Sequence, residues 1–144
     1  MRVSTKGRYG LRAIIDLILN SNGQNVPLIT IAERQDISKN YLEQVFSSLR
    51  KAGIVNSTKG AQGGYYLADK PANITVGDVL KVLEGDLSVV SSDPDVQENP
   101  IEECIQRYVW EKVDSKVYEI IDGITLEDLV NEYRNASNTF MYYI

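Results

Sequence analysis

Apolar and polar positions recur along this chain at spacings that predict a series of helices and a single hairpin. Ala13, Ile14, Leu17 and Ile18 fall on one stripe, giving a first helix that opens near Ser4 and reaches about Asn20. Asn22 to Gln24 read as a turn, and Val26-Pro27-Leu28 lead into a short second helix, where Thr30-Ile31-Ala32-Glu33 has the spacing of a capping box. Ala32 is small, as the crossing point of two helices requires. Gln35-Asp36-Ile37 then form a turn, with aspartate at a position that needs left-handed backbone. Ser38 is a good N-cap for a third helix, whose core stripe is Tyr41, Leu42, Val45 and Leu49. Its other face carries Lys39, Asn40, Glu43, Gln44, Ser47, Ser48, Arg50 and Lys51, a surface rich in donors and short of carboxylates.

Gly53 stops that helix, and Ile54 to Thr58 read as a strand. Lys59-Gly60-Ala61-Gln62-Gly63-Gly64 clusters three glycines at a loop tip, and Tyr65-Tyr66-Leu67 returns as a second strand. A helix with a polar face followed by a hairpin with a basic tip predicts a winged helix-turn-helix that binds double-stranded DNA, the third helix lying in the major groove.

Beyond the hairpin, Pro71 to Ile74 form a linker and Thr75 caps a fourth helix through Asp78. Val76, Val79, Leu80 and Leu83 are its apolar side, and Gly85 ends it. Asp86 to Pro100 is acidic and is expected to be a mobile loop. From Ile101 to Ile121, Ile105, Val109, Val113, Val117 and Ile121 repeat every four residues and predict one long helix. Such a row either packs on its own domain or pairs with the same helix of a second subunit. Asp122-Gly123 terminates it, and Thr125-Leu126-Glu127-Asp128 caps a last short helix to about Tyr133. Asn135 to Thr139 reads as a polar spacer before the apolar end Phe140 to Ile144. The predicted fold class is mainly α with a small β-hairpin. Residues 1–85 form the DNA-binding domain, 86–100 the acidic loop, and 101–144 the dimerisation helix, short helix and tail.

The chain has 144 residues and a net charge of −5, which looks wrong for a nucleic-acid binder until it is divided. Residues 1–70 hold ten Lys/Arg against five Asp/Glu, a net +5, while residues 71–144 hold five against fifteen, a net −10. A basic DNA-facing half joined to an acidic half has this asymmetry. Lys6, Arg8 and Arg12 gather at the start of the first helix, where free amides favour an anion; they are either a phosphate clamp or a solvated basic face.

No histidine, one cysteine, no convergent carboxylates and no lysine-serine ending after Gly60 to Gly64 argue against an enzyme. The rival is a winged helix used only for protein contacts, which has no need of the positive charge on residues 1–70. The longest apolar run, Ala13 to Leu19, is broken by Asp16 and too short to span a bilayer, and nothing resembles a signal peptide. A cytoplasmic protein is expected.

Three segments, Met1 to Gly10, Ile37 to Gln44 and Lys59 to Tyr65, resemble the signature segments of the Rrf2 family of bacterial winged-helix transcription regulators. The resemblance implies a homodimer joined by the long helix, with the third helix in the major groove and the wing at the minor groove. It carries base or backbone contact onto Ser38, Asn40, Tyr41, Gln44, Lys59 and Gly60, and phosphate contact onto Thr5, Lys6, Arg8 and Arg50. One branch of the family holds an iron-sulfur cluster on three cysteines. Here only Cys104 matches one of those positions, so no cofactor is expected, and Cys104 reads as a small apolar residue of the long helix.

Glu84 to Val90, Thr125 to Leu129 and the tail ending Tyr143-Ile144 look like the branch that represses cysteine metabolism. That likeness implies a complex with cysteine synthase that O-acetylserine dissociates. Tyr143 and Ile144 are then candidate partner-binding residues, the isoleucine carboxylate entering the enzyme's substrate site, or else the tail packs back on the dimer. A family regulator of another pathway remains the alternative.

Overall fold

The computed structural model describes residues 1–91 and 98–142, with side chains as far as Asn138. The order is α1 (Thr5–Asn20), α2 (Leu28–Gln35), α3 (Lys39–Lys51), β1 (Val55–Thr58), β2 (Gly64–Leu67), a 3-10 turn (Pro71–Asn73), α4 (Val76–Glu84), α5 (Pro100–Ile105), a π turn (Gln106–Trp110), α6 (Glu111–Asp122) and α7 (Leu126–Tyr142). The mainly helical fold with one antiparallel hairpin is the winged helix expected.

Local chemistry accounts for the boundaries. Ser38 caps α3 by accepting the Tyr41 amide, and Asp36 takes left-handed backbone at φ 53°. At the far end of α3 the Ile54 and Gly53 amides donate to the Leu49 and Arg50 carbonyls, a paired closure that requires φ of +80° at Gly53. Thr75 with Asp78, and Thr125 with Asp128, form reciprocal capping boxes at the starts of α4 and α7.

One core joins the helix-turn-helix to the wing. Ile14, Leu17, Ile31, Leu42, Val45, Phe46, Leu49, Val55 and Leu126 are fully buried in it. Phe46, absent from the predicted stripe, meets Tyr65 of the hairpin edge-on, with ring centroids 5.0 Å apart. Burying an aromatic pair at that contact fixes the wing against α3. The hairpin runs in register from Val55 opposite Leu67 to Thr58 opposite Gly64. Val26, read from sequence as lead-in to a helix, exchanges two backbone hydrogen bonds of 2.9 Å with Tyr65 and so flanks β2. A Cβ on Gly64 would lie 2.5 Å from the Val26 carbonyl oxygen, so only glycine permits that approach.

Two expectations are corrected and one is refined. Thr30 does not open α2: Pro27 is the N-cap, the helix starts at Leu28, and the Thr30 hydroxyl donates to the Pro27 carbonyl from inside the first turn. Proline at that boundary suits the extended backbone of a cap. The long helix forms as one helical run from Pro100 to Asp122, with a π turn over Gln106–Trp110 inside it between α5 and α6. The last helix is not short: α7 runs through Asn135 to Thr139 and reaches Tyr142, so the expected spacer is helical. Once a capping box has nucleated a helix, each further residue adds a hydrogen bond, and weak helix formers are carried along.

A second, smaller cluster of Val76, Leu80 and Leu87 packs with Tyr118, Ile121, Ile124 and Leu129, fastening α4 to α6 and α7. Beside it the Lys81 ammonium lies 2.8 Å from Asp122. Of the acidic segment 86–100, residues 92–97 lie outside the described residues. At its start Leu87 is buried, and the Leu87 and Val89 amides donate to the Tyr118 hydroxyl and the Asp114 carboxylate.

Candidate nucleic-acid interface

The outward face of α3 is built by subtraction. Leu42, Val45, Phe46 and Leu49 are consumed by the core, which leaves Lys39, Asn40, Glu43, Gln44, Arg50 and Lys51 exposed on the rest of the helix surface. The first turn of α3 contains no acid, and its last turn holds Arg50 and Lys51. Glu43, the one carboxylate of the face, sits 3.6 Å from Lys39 one turn away. Ser38 uses its oxygen to cap the helix, leaving its hydroxyl proton free to donate outward. Tyr41 is half-buried, its ring edge-on to Tyr9 at 6.2 Å, and Arg12 stacks over that Tyr9 ring at 5.1 Å. Tyr41 thereby packs at the α1–α3 seam.

The helix-turn-helix geometry rests on a polar joint between α1 and α2. Arg34 and Gln35 both donate to Asp16, and the Arg12 guanidinium donates to the Gln35 carbonyl at 2.8 Å. The Asp16 hydrogen bond raises the Arg34 guanidinium further above its ordinary range. These bonds grip the end of α2 immediately before the turn that aims α3.

At the wing, Lys59 and Gly60 are exposed at the tip, with Gly60 at φ +106°, a conformation that L side chains rarely adopt. The Gly63 amide closes the tip onto the Gly60 carbonyl at 3.0 Å, and Asn25 donates to the Thr58 hydroxyl at its base.

The start of α1 differs from expectation. Thr5 and Arg8 are exposed and Lys6 is half-buried, so basic side chains do gather there. Two of the first-turn amides expected to attract an anion are already taken, because the Ser4 and Gly7 amides donate to the Glu84 carboxylate, each at 2.9 Å. Sequence reading missed Glu84 because it lies nearly eighty residues away. The one local signal was Gly7 inside a helix start. The structure thus brings Ser38, Asn40, Tyr41, Gln44 and Arg50 onto α3, Lys59 and Gly60 onto the wing, and Thr5, Lys6 and Arg8 onto the first turn of α1. Tyr143 and Ile144 lie outside the described residues.

Comparison with known proteins agrees with this architecture. The family model Rrf2, described as an iron-dependent transcriptional regulator, matches residues 3–132. Over 144 residues, covering all of both chains, the sequence is 42% identical to the HTH-type transcriptional regulator CymR of Bacillus subtilis. Over 131 residues, 91% of this chain and 81% of the relative, it is 37% identical to the HTH-type regulator IscR of Escherichia coli. The solved structure of B. subtilis CymR superposes with a TM-score of 0.77, covering 92% of this chain and 98% of that one. A T. potens IscR structure superposes at 0.75 with 44% identity, covering 94% and 90%.

An iron-sulfur group takes several thiolates, with histidine as the usual substitute. This chain has one cysteine and no histidine. Cys104 is exposed on α5, and among the described residues no three His, Cys, Asp or Glu side chains are grouped to hold a metal. The residues do not fit such a group.

Proposed function

The chain belongs to the Rrf2 family of helix-turn-helix transcriptional regulators, and from that premise we propose that it binds palindromic operator DNA as a homodimer, α3 in the major groove and the β1–β2 wing at the minor groove. The carrying observation is the outward face of α3, which is rich in donors and backed by a fully buried opposite face. In this reading Asn40 and Gln44 reach base edges, where an amide side chain pairs in bidentate fashion with adenine. Ser38, Tyr41, Lys59 and Gly60 make base or backbone contacts, and Thr5, Lys6, Arg8 and Arg50 contact phosphates through their side chains.

The dimer is supported by α5, the π turn and α6, none of which contains a buried residue in the single chain. Ile101 is 72% exposed and Tyr108 70%. An apolar row of that kind is covered by a second copy in a two-fold regulator. Among the described residues no helix is long and apolar enough to cross a membrane, in keeping with a cytoplasmic DNA binder.

The finer assignment is repression in cysteine and sulfur metabolism, supported by full-length likeness to CymR, described for B. subtilis as the global cysteine regulator. Partnership with cysteine synthase through Tyr143 and Ile144 belongs to the same assignment. Removal of these two residues abolishes capture of cysteine synthase while the dimer persists, if the assignment holds. The core proposal is tested by titrating the purified protein onto its own upstream DNA across a salt series. Saturable binding that prefers a palindrome over unrelated DNA is expected, and equal, weak binding to both refutes it.

A further inference from the structure

The first turn of an α-helix leaves four backbone amides without partners inside the helix. Ser4, at the N-cap of α1, makes no side-chain cap of its own. Glu84, the last residue of α4, fills the role from across the fold. Its Oε1 accepts the Ser4 amide at 2.9 Å, the Ser4 hydroxyl at 2.6 Å and the Gly7 amide at 2.9 Å. A carboxylate at a helix N-terminus also meets the favourable end of the helix dipole, and hydrogen bonds to a charged acceptor are the stronger kind.

Two glycines make room for this contact. A Cβ on Gly7 would lie 2.2 Å from Glu84 Oε1, and one on Gly10 would lie 2.2 Å from Leu83 Cδ1. A side chain at Gly7 would displace the Glu84 carboxylate from beneath the first turn, and one at Gly10 would displace the Leu83 methyl. On that same turn stand Thr5, Lys6 and Arg8, and among the described residues neither Lys6 nor Arg8 forms an ion pair. A first helical turn whose amides are unpaired frays, and a frayed turn cannot hold two cations at a fixed place on a phosphate backbone.

We propose that Glu84 is a positioning residue for DNA binding: by capping α1 from the end of α4, it holds the Ser4–Arg8 turn so that Lys6 and Arg8 engage phosphates. This rests on the DNA-binding reading above. It assigns Glu84 no contact with DNA.

The test measures salt dependence of binding, on a palindromic site and on unrelated DNA, for the full chain and its variants. Removing one phosphate contact lowers the slope of log affinity against log salt by about one. Glu84→Ala is expected to weaken both DNAs by the same factor and lower the slope by about one to two units. Glu84→Gln keeps an acceptor oxygen and should retain the full slope. Lys6→Ala should lower the slope in the parent chain and leave it unchanged in the Glu84→Ala background. Ser4→Ala, which removes one of the three bonds, carries the same test with a smaller effect should Glu84→Ala fail to fold. A general loss of stability would not produce this non-additivity. An unchanged slope in Glu84→Ala, full additivity with Lys6→Ala, or tighter binding by Glu84→Ala overturns the inference. If the parent chain binds no DNA, the DNA-binding reading falls and the inference with it. If the parent binds with a steep slope that Glu84→Ala leaves intact, only the inference falls.

Discussion

Arg34 holds Asp16 by two nitrogens, Nε at 3.1 and 3.0 Å from the two carboxylate oxygens and Nη2 at 2.7 Å from Oδ1. The partners are unequal, for the Arg34 side chain is 38% exposed and that of Asp16 only 3%. That inequality predicts the outcome of breaking the pair. Arg34→Ala strands a buried carboxylate with Gln35 as its remaining side-chain donor and should cost about 3 kcal/mol. Asp16→Ala leaves a guanidinium that reaches water along its own stem and should cost about 1–2 kcal/mol. Urea melts of both variants check the ordering. Equal or reversed losses would mean that the joint does not depend on Asp16 burial.

At the DNA face, specificity and affinity should separate by residue. Gln44→Ala should lose on the order of 1–3 kcal/mol on the preferred site and relax discrimination at one base pair. Arg50→Ala should weaken every sequence similarly and reduce the salt slope by about one. Binding assays on the operator and on single-base variants separate the two, and a Gln44→Ala protein with unaltered base preference would remove Gln44 from the groove.

How far the sequence disclosed this molecule depends on the range of the interactions. The helix-turn-helix was legible because its signals are local: the Ser38 cap, the left-handed Asp36 and the helix stop at Gly53 act within a few residues. Phe46 was legible in principle, standing at helical spacing between Leu42 and Leu49. The Val26–Tyr65 bridge, the Asp16–Arg34 joint and the Glu84 cap join residues far apart in the chain, and nothing in either partner's neighbourhood marks the other. Asn135 to Thr139 misled for a different reason: intrinsic propensity is a weak prior beside the cooperativity of an established helix.

The iron question has a direct outcome. With one thiol per chain and no histidine, protein purified without oxygen should be colourless and contain no stoichiometric iron or sulfide. Cys104→Ser should leave DNA affinity unaltered. A visible absorption band with matching iron and sulfide would require ligands from outside this chain.

The π turn explains how a row of residues spaced by four can serve as one seam. On a regular helix each four-residue step rotates the row by about 40°, so five members in succession would wind well around the helix. A turn closed from i to i+5 admits an extra residue and takes up part of that rotation. The turn at Gln106–Trp110 falls between Ile105 and Val113, with Val109 inside it. Beyond it the row divides: Val113 remains exposed, while Ile121 joins Tyr118 in the cluster against α4. Pairing between subunits should therefore depend on Ile101, Tyr108, Val109 and Val113, and Ile121 should act on the monomer fold. Val113→Asp places a charge in the seam and should give monomers at concentrations where the parent is dimeric, with helix content unchanged and operator affinity reduced to that of one half-site. Ile121→Ala should instead lower stability by about 2–3 kcal/mol and leave the dimer intact once folded. Sedimentation velocity and circular dichroism distinguish the two, and a Val113→Asp protein that remains dimeric would place the seam elsewhere.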